Sequence, residues 1–388
     1  MSGFRWQPGR YTASIKPSGI RKFFDLLESM PEAISLGIGE PDFVTPWHVR
    51  EQGIYSLEKG FTKYTPNAGL SELRAEIGHY MRRHYGLDFE PKSQVLVTVG
   101  GSEGIDLCMR ATLDPGDEVL IPQPSFVAYG PIAALAGAKP VYIETVAQDS
   151  FRLTPEQLRA AITDKTKLLV LPYPCNPTGG IMEKSDLEGI AEVLRGTNIL
   201  VLSDEIYSEL SYGSAHVTLA SEPDMLERTV IVNGFSKSHA MTGWRMGFVC
   251  GPREMVAQMI KIHQFALMSA PTTSQYAAIE ALRHGDGDIA AMRSEYDIRR
   301  RFIVDALRKM GLPCFEPQGA FYAFPDIRPT GLTSEAFCEQ LLTEQKVAVI
   351  PGNSFGASGE GFVRCCYAAS LQQLREAMER IQDFLKGL

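Results

Sequence analysis

A lysine at position 237 sits between small hydroxyl residues in Asn233-Gly234-Phe235-Ser236-Lys237-Ser238-His239, directly after the apolar run Thr229–Val232. Taken alone, a lone lysine is ordinarily a solvated cation. A partly desolvated amine near other cations is different: it loses part of its proton affinity and becomes nucleophilic towards an aldehyde. The same stretch leads to Gly243-Trp244-Arg245-Met246-Gly247. There Arg245, as a fixed-charge fork, and Ser236 form a candidate phosphate clamp.

Three further segments follow apolar runs in the same way. After Ile199–Leu202 comes Ser203-Asp204-Glu205-Ile206-Tyr207. A carboxylate at the end of a buried strand needs a partner. Asp204 reads either as a helix cap or ion pair, or as the partner of a protonated pyridine nitrogen, with Tyr207 donating to a ring hydroxyl. After Lys167–Leu171 comes Pro172-Tyr173-Pro174-Cys175-Asn176-Pro177-Thr178-Gly179-Gly180. Its prolines and glycines make a non-helical turn, in which Asn176 is a turn residue or an amide facing a ligand oxygen. After Gln94–Val99 comes Gly100-Gly101-Ser102-Glu103-Gly104, opening a helix whose first N–H groups can meet an anion. It lacks the GxGxxG spacing of a dinucleotide fingerprint, and so does GIGEPD at 37–42.

The elements that must position these residues are legible in the pattern. The runs Gln94–Val99, Glu118–Ile121, Pro140–Ile143, Lys167–Leu171, Ile199–Leu202, Thr229–Val232 and Met246–Cys250 are continuously apolar, as expected of strands covered on both faces. Amphipathic stretches such as Pro155–Ile162 and Lys184–Leu194 separate them. This rhythm predicts an α/β fold: a three-layer α/β/α large domain, 47–285, built on a mostly parallel seven-stranded sheet. Open sheets of this kind bind ligands at the carboxyl ends of their strands. From Asp286 the pattern changes to a long charged helix (Ile289–Met310), short strands, and helices over Thr333–Gln345 and Leu371–Leu385, read as a smaller α+β domain, 286–388. Residues 1–46 read as an arm that packs on that domain or on a partner subunit.

Together these residues resemble the fold-type I pyridoxal-phosphate enzymes, and within them the class I/II aminotransferases. The matching stretches are GEPDF (39–43), KYTPNAGLSELR (63–74), VTVGGSEGI (97–105), NPTGG (176–180), SDEIY (203–207), FSKSHAMTGWRMG (235–247) and FVRCCYA (362–368), in the family's order. The resemblance implies that Lys237 forms the Schiff base with pyridoxal 5′-phosphate and shuttles the proton. It implies that Asp204 pairs with the ring nitrogen, and that Asn176 and Tyr207 bond the ring hydroxyl. Gly101, Ser102, Ser236 and Arg245 would hold the phosphate, with Glu103 beside them in the cofactor-binding set. Tyr64 would reach the phosphate of a neighbouring subunit, which implies a homodimer with shared sites. Phe126, in Pro124-Ser125-Phe126-Val127-Ala128-Tyr129, would stack on the ring, where many relatives carry Trp or Tyr. On its own it reads first as a core aromatic. Arg364 would clamp the substrate α-carboxylate, assisted by the Gly39 backbone and by Asn176. No metal is implied.

The expected reaction is a ping-pong transfer of an amino group from an L-amino acid to a 2-oxo acid, with 2-oxoglutarate the expected acceptor. The pattern is most similar to the subgroup acting on aspartate, aromatic amino acids or alanine. Candidate side-chain pockets are Tyr11–Lys22 and Phe265–Thr273. Arg21 or Lys16 would meet an acidic side chain, although each reads first as a solvated cation. Phe265, Phe126 and Tyr322 would favour aromatic substrates, although core packing explains them too.

Other classes fit less well. A carbon–sulfur β-lyase would use nearly the same catalytic set. A transcription regulator of this fold would need a helix-turn-helix domain ahead of GEPDF, which begins at residue 39. The seven histidines (48, 79, 84, 216, 239, 263, 284) form no HExxH pair, and His79 and His84 read as surface or packing residues. A formal charge of −8 with no long basic run argues against nucleic acid. The short run Arg299, Arg300, Arg301 reads as a solvated helix face. Seven cysteines without CxxC spacing, no secretory leader and no apolar run long enough for a bilayer predict free thiols in a cytoplasmic protein that meets no membrane.

Overall fold

The computed structural model of the chain describes residues 5–15, 30 and 32–388. Lys16 and Arg21 lie outside the described residues. The arm contributes β1 (Ile34–Ser35). The next seven strands are β2 (Val95–Thr98), β3 (Glu118–Gln123), β4 (Lys139–Glu144), β5 (Thr166–Leu171), β6 (Leu200–Asp204), β7 (Thr229–Gly234) and β8 (Gly247–Cys250). They form one sheet in the order β2-β8-β7-β6-β5-β3-β4. β8 runs antiparallel to both neighbours, and the rest run parallel to one another. The mostly parallel seven-stranded α/β sheet is therefore as expected.

The central strands explain why the runs are continuous. Leu168, Leu169, Val170, Val201, Leu202, Val230, Ile231, Val232 and Val249 are fully buried, so both faces of the sheet are covered. The run at Pro140–Ile143 differs. Its strand β4 pairs with β3 alone, at the edge of the sheet, and Tyr142 is half exposed. An edge position leaves its outer side without the neighbour that would bury it.

Helices cross between strands, and their ends carry recognisable signals. The helix Pro155–Ala161 starts with a capping box from Thr154 and Gln157 and has proline in its first turn. Ser71–Tyr85 stops at Gly86, whose φ of 67° is left-handed.

Beyond residue 285 the chain forms a long helix, Asp286–Lys309, and two more, Ser334–Gln345 and Leu371–Gly387. Strands β9 (Tyr322–Ala323), β10 (Val347–Ala348), β11 (Ile350–Pro351) and β12 (Val363–Cys366) lie between them. β12 is the middle of an antiparallel sheet ordered β11-β12-β9, and β1 pairs in parallel with β10. The short helix Arg10–Ser14 lies instead against Tyr129–Leu135, beside the large sheet.

The arginine run departs from expectation. Arg299 is buried and pairs with Asp42 at 2.8 Å and Glu295 at 3.1 Å, with its guanidinium over the Phe43 ring. Arg300 pairs with Asp297 and Glu316, each at 2.8 Å. Only Arg301 keeps an open side chain. The helix packs its flank onto Asp42 and Phe43 of the GEPDF segment, so two of the three charges are interior ties. All seven cysteines are buried and free. Among the described residues no helix is long and apolar enough to cross a membrane.

Candidate active site

The sheet direction places the chemistry. β2, β3, β5, β6 and β7 all end at one edge, and the residues just beyond them are Gly101 and Ser102, Phe126, Asn176, Ile206 and Tyr207, and Ser236 and Lys237. β8 is antiparallel, so its first residues share that edge, which brings Arg245 to the same place. Together with Ile38, Gly39 and Glu40 from the arm and with Tyr322 and Arg364 from the three-stranded sheet, these residues line a cavity of about 360 Å³. That size suits a small organic ligand.

Lys237 lies in the short helix Phe235–Ser238, and its Nζ donates to the Gly39 carbonyl at 2.6 Å. Burial pushes its pKa down to about 8, and the Arg364 and Arg245 charges push the same way, against Cys366 and Glu40. About a tenth of the amine is therefore neutral at pH 7 and half at about pH 8, far more than for a solvated lysine, and the neutral form is the nucleophile.

Asp204 is buried at the cavity wall. Its Oδ2 accepts from the Tyr129 hydroxyl at 2.6 Å and its Oδ1 from the Ile206 N–H at 3.3 Å. Burial raises its pKa, while those two donors hold it down. Tyr207 shares a hydroxyl hydrogen bond of 2.7 Å with Tyr322.

Two ends of the cavity suit anions. At one, Arg364 is buried with its guanidinium between the rings of Tyr322 and Phe355, at 4.5 and 4.8 Å. Its Nη1 donates to Asn176 Oδ1 at 2.8 Å and its Nη2 to the Gly37 carbonyl at 2.6 Å. Its Nε has no partner, a buried donor that a ligand oxygen would satisfy. At the other end, the helix Gly100–Thr112 opens beside Arg245. A Cβ on Gly100 would lie 2.8 Å from Arg245 Nη2, and one on Gly247 would lie 2.5 Å from the Gly100 carbonyl carbon. Only glycines let these backbones and the arginine approach so closely. Arg245 itself has a left-handed φ of 52°, a strained backbone of the kind kept at functional sites.

The structure brings together Gly39, Gly101, Ser102, Phe126, Asn176, Asp204, Tyr207, Ser236, Lys237, Arg245 and Arg364. The Glu103 side chain is a correction. It accepts from the Val99 N–H and pairs with buried His263 at 2.6 Å, and it is not among the residues that line the cavity. Position 103 lies one residue further round the helix Gly100–Thr112 than Ser102, which turns its side chain away. Tyr64 is 82% exposed and lies outside this chain's cavity, as does the exposed Phe265.

Tyr129 and Phe355 escaped the sequence reading. Tyr129 stands three residues after Phe126, a helical spacing that marks one face, and this was the available signal. Phe355 reaches Arg364 through a loop and left none. Tyr322, expected either as a substrate contact or as core packing, is buried, lines the cavity and lies under the Arg364 guanidinium. A Cβ on Gly39 would lie 2.3 Å from its hydroxyl.

The model of the family "aminotransferase class I and II" matches residues 31–381. The aspartate aminotransferase of Pyrococcus abyssi is 45% identical over 96% of each chain. The aromatic-amino-acid aminotransferase 2 of Thermococcus litoralis is 44% identical, again over 96% of each chain. Among solved structures, the aspartate aminotransferase from Thermus thermophilus with maleate superposes with a TM-score of 0.93 at 37% identity, covering 98% of this chain and all of that one. The chain is an aminotransferase and belongs to the class I and II aminotransferase family.

Proposed function

We propose that the chain uses pyridoxal 5′-phosphate to transfer the amino group of an L-amino acid, aspartate, aromatic or similar, to a 2-oxo acid, 2-oxoglutarate being the expected acceptor. The observation that carries this reading is the convergence of Lys237, Asp204 and Arg364 on one cavity of about 360 Å³. The relatives named for aspartate and for aromatic amino acids support the donor class. The carbon–sulfur β-lyase reading is not favoured.

The residues fit the cofactor. Gly101, Ser102, Ser236 and Arg245 would hold its phosphate at a helix N-terminus. Asn176 and Tyr207 would face the ring hydroxyl, Phe126 would cover the ring face, and Asp204 would meet the ring nitrogen. When bound, pyridoxal 5′-phosphate supplies an aldehyde for the amine and a cationic ring that draws electrons from the substrate's α-carbon. The chain's own residues do the rest. Arg364 and Asn176 fix the α-carboxylate, so that the Cα–H bond is presented in one orientation. The neutral Lys237 Nζ is the base for the α-proton. Asp204, kept ionised, holds a proton on the facing nitrogen. The apolar walls, Ile38, Ile105, Ile206, Pro172 and Pro174, exclude water.

The chain acts as a homodimer in this reading. Exposed apolar residues gather in sequence about Tyr64, at Trp47, Ile54, Leu57 and Phe61, and Phe265 is exposed as well. Asn67 Nδ2 ties the segment after Tyr64 to the segment after Phe265 through the Met268 carbonyl at 2.8 Å, which brings the two stretches together as one face. A second copy would cover the face and carry Tyr64 to its phosphate site. The division into an arm, 1–46, a large domain, 47–285, and a small domain, 286–388, is supported by the sheets, the large one ending at Cys250 and the small one starting at Tyr322. Seven buried thiols support a reducing, cytoplasmic setting.

The test is a panel of amino acids against 2-oxoglutarate, pyruvate and oxaloacetate. Keto acid formed in step with a new amino acid, each half-reaction proceeding without the other substrate, is the expected result. Pyruvate released from a cysteine conjugate with no keto acid added would contradict it.

A further inference from the structure

The turn that carries Phe126 also carries a buried hydroxyl. Tyr129 opens the helix Tyr129–Leu135, its amide bonds back to the Phe126 carbonyl, and the two rings meet edge to face at 5.6 Å. Its side chain is 2% exposed, and its hydroxyl donates to Asp204 Oδ2 at 2.6 Å, within the range of a charge-assisted O–H···O⁻ bond. Among the described residues Asp204 has no cationic partner: its contacts are this hydroxyl and the Ile206 N–H. The neighbouring acid, Glu205, is fully buried and held elsewhere by Ser203, Thr218 and His216. Its charge works against an ionised Asp204. A carboxylate so placed would take up a proton unless a donor held it ionised.

We infer that Tyr129 is a positioning residue which, through its hydrogen bond to Oδ2, keeps Asp204 ionised and turns its other oxygen towards the cavity. Tyr129 does this without itself ionising, since its hydroxyl is buried against a carboxylate and stays protonated. This one turn thus sets both the ring platform, Phe126, and the charge at the ring's edge. The inference rests on the proposed pairing of Asp204 with a ring nitrogen only for its catalytic consequence. The effect on Asp204 is a property of the chain alone.

The experiment compares Tyr129→Phe, Tyr129→His, Asp204→Asn and the wild type in two measurements. In the cofactor-free proteins, infrared difference spectra over pH report carboxylic acid against carboxylate. Tyr129→Phe should show a protonated carboxyl at neutral pH that vanishes when Asp204→Asn is added, and the wild type should not. Tyr129→His, which keeps a ring donor, should restore the ionised form. With pyridoxal 5′-phosphate added, Tyr129→Phe should bind it about tenfold or more weakly, as for loss of a hydrogen bond to a charged group. The pH midpoint of the bound cofactor's visible band should also move. An ionised Asp204 in Tyr129→Phe, with affinity and midpoint unchanged while Asp204→Asn weakens binding, overturns the role of Tyr129 alone. If Asp204→Asn binds the cofactor as tightly as the wild type, the ring-nitrogen pairing fails instead, and the infrared result still decides Tyr129. Should Tyr129→Phe not fold, Tyr129→His decides: an ionised Asp204 supports the inference and a protonated one overturns it.

Discussion

Arg364 and Asn176 are joined by a hydrogen bond of 2.8 Å from Nη1 to Oδ1. The bond connects the small sheet, through β12, to the turn that follows β5 of the large one. It holds two residues 188 positions apart together at the cavity wall, where the proposed function has them receive a carboxylate. Arg364→Ala should raise KM for amino acids and keto acids alike and lower kcat/KM about 10- to 100-fold, the weight of one charged hydrogen bond. Steady-state kinetics with at least two donors and two acceptors checks this. Loss confined to one side chain would mean that Arg364 reads the side chain instead.

The position of Lys237 gives a pH dependence. Its pKa is pushed down to about 8, first by burial, so the ammonium predominates below that pH and the free amine above it. Only the free amine has the lone pair that attacks an aldehyde. The rate at which the cofactor-free protein takes up pyridoxal 5′-phosphate should rise through pH 8 and level off above it. Stopped-flow absorbance over pH measures it. A midpoint near the ordinary lysine value would contradict the burial argument.

A buried network beneath the sheet predicts a stability profile. Glu209 accepts from Tyr80 and from Tyr85, and His84 Nδ1 lies 3.2 Å from its Oε1. Burial alone would raise its pKa, but His84 and the tyrosines hold it at about 2. A carboxylate depressed in this way contributes stability that is present above its unfolded value and lost as pH falls through the folded one. His84 is raised, so its share is complete at low pH and lost as pH rises through its folded value. Glu209→Gln should destabilise the protein by about 3 kcal/mol near neutral pH. The difference should shrink as pH falls from the usual carboxylate range towards 2. Denaturant melts of both proteins across pH test this, and a constant difference would refute it.

The exposed Tyr64 face predicts an association. Tyr64→Ala should leave the fold intact and weaken pyridoxal 5′-phosphate binding, because in the proposed homodimer Tyr64 serves the other subunit's site. Light scattering should give a dimer for the wild type. Mixing Tyr64→Ala with Lys237→Ala should then restore a fraction of sites that hold both residues. A monomeric wild type with full cofactor affinity would contradict the shared site.

Much of this was readable from the chain alone because the large sheet is regular. Continuous apolar runs mark interior strands, and polar clusters after them mark the ligand edge, so Lys237, Asp204 and Asn176 stood out by position. Four features were hidden by tertiary arrangement. Arg299 and Arg300 looked solvated because their acidic partners come from both near and far in sequence, Asp42 among them. The Glu103 side chain was drawn away by His263, on the helix Arg253–Ala266. The Pro140–Ile143 run is as apolar as its neighbours, and only the strand order reveals that it lies at an edge. The hydrogen bond of Tyr129 to a residue 75 positions away needs the packed sheet to be seen.

The central claim is the covalent role of one amine. The protein saturated with pyridoxal 5′-phosphate is reduced with borohydride, digested and mapped by mass spectrometry. A single reduced pyridoxyl adduct on Lys237, absent from Lys237→Ala, is the expected result. An adduct on another lysine, or none in a protein that still binds the cofactor, would contradict it.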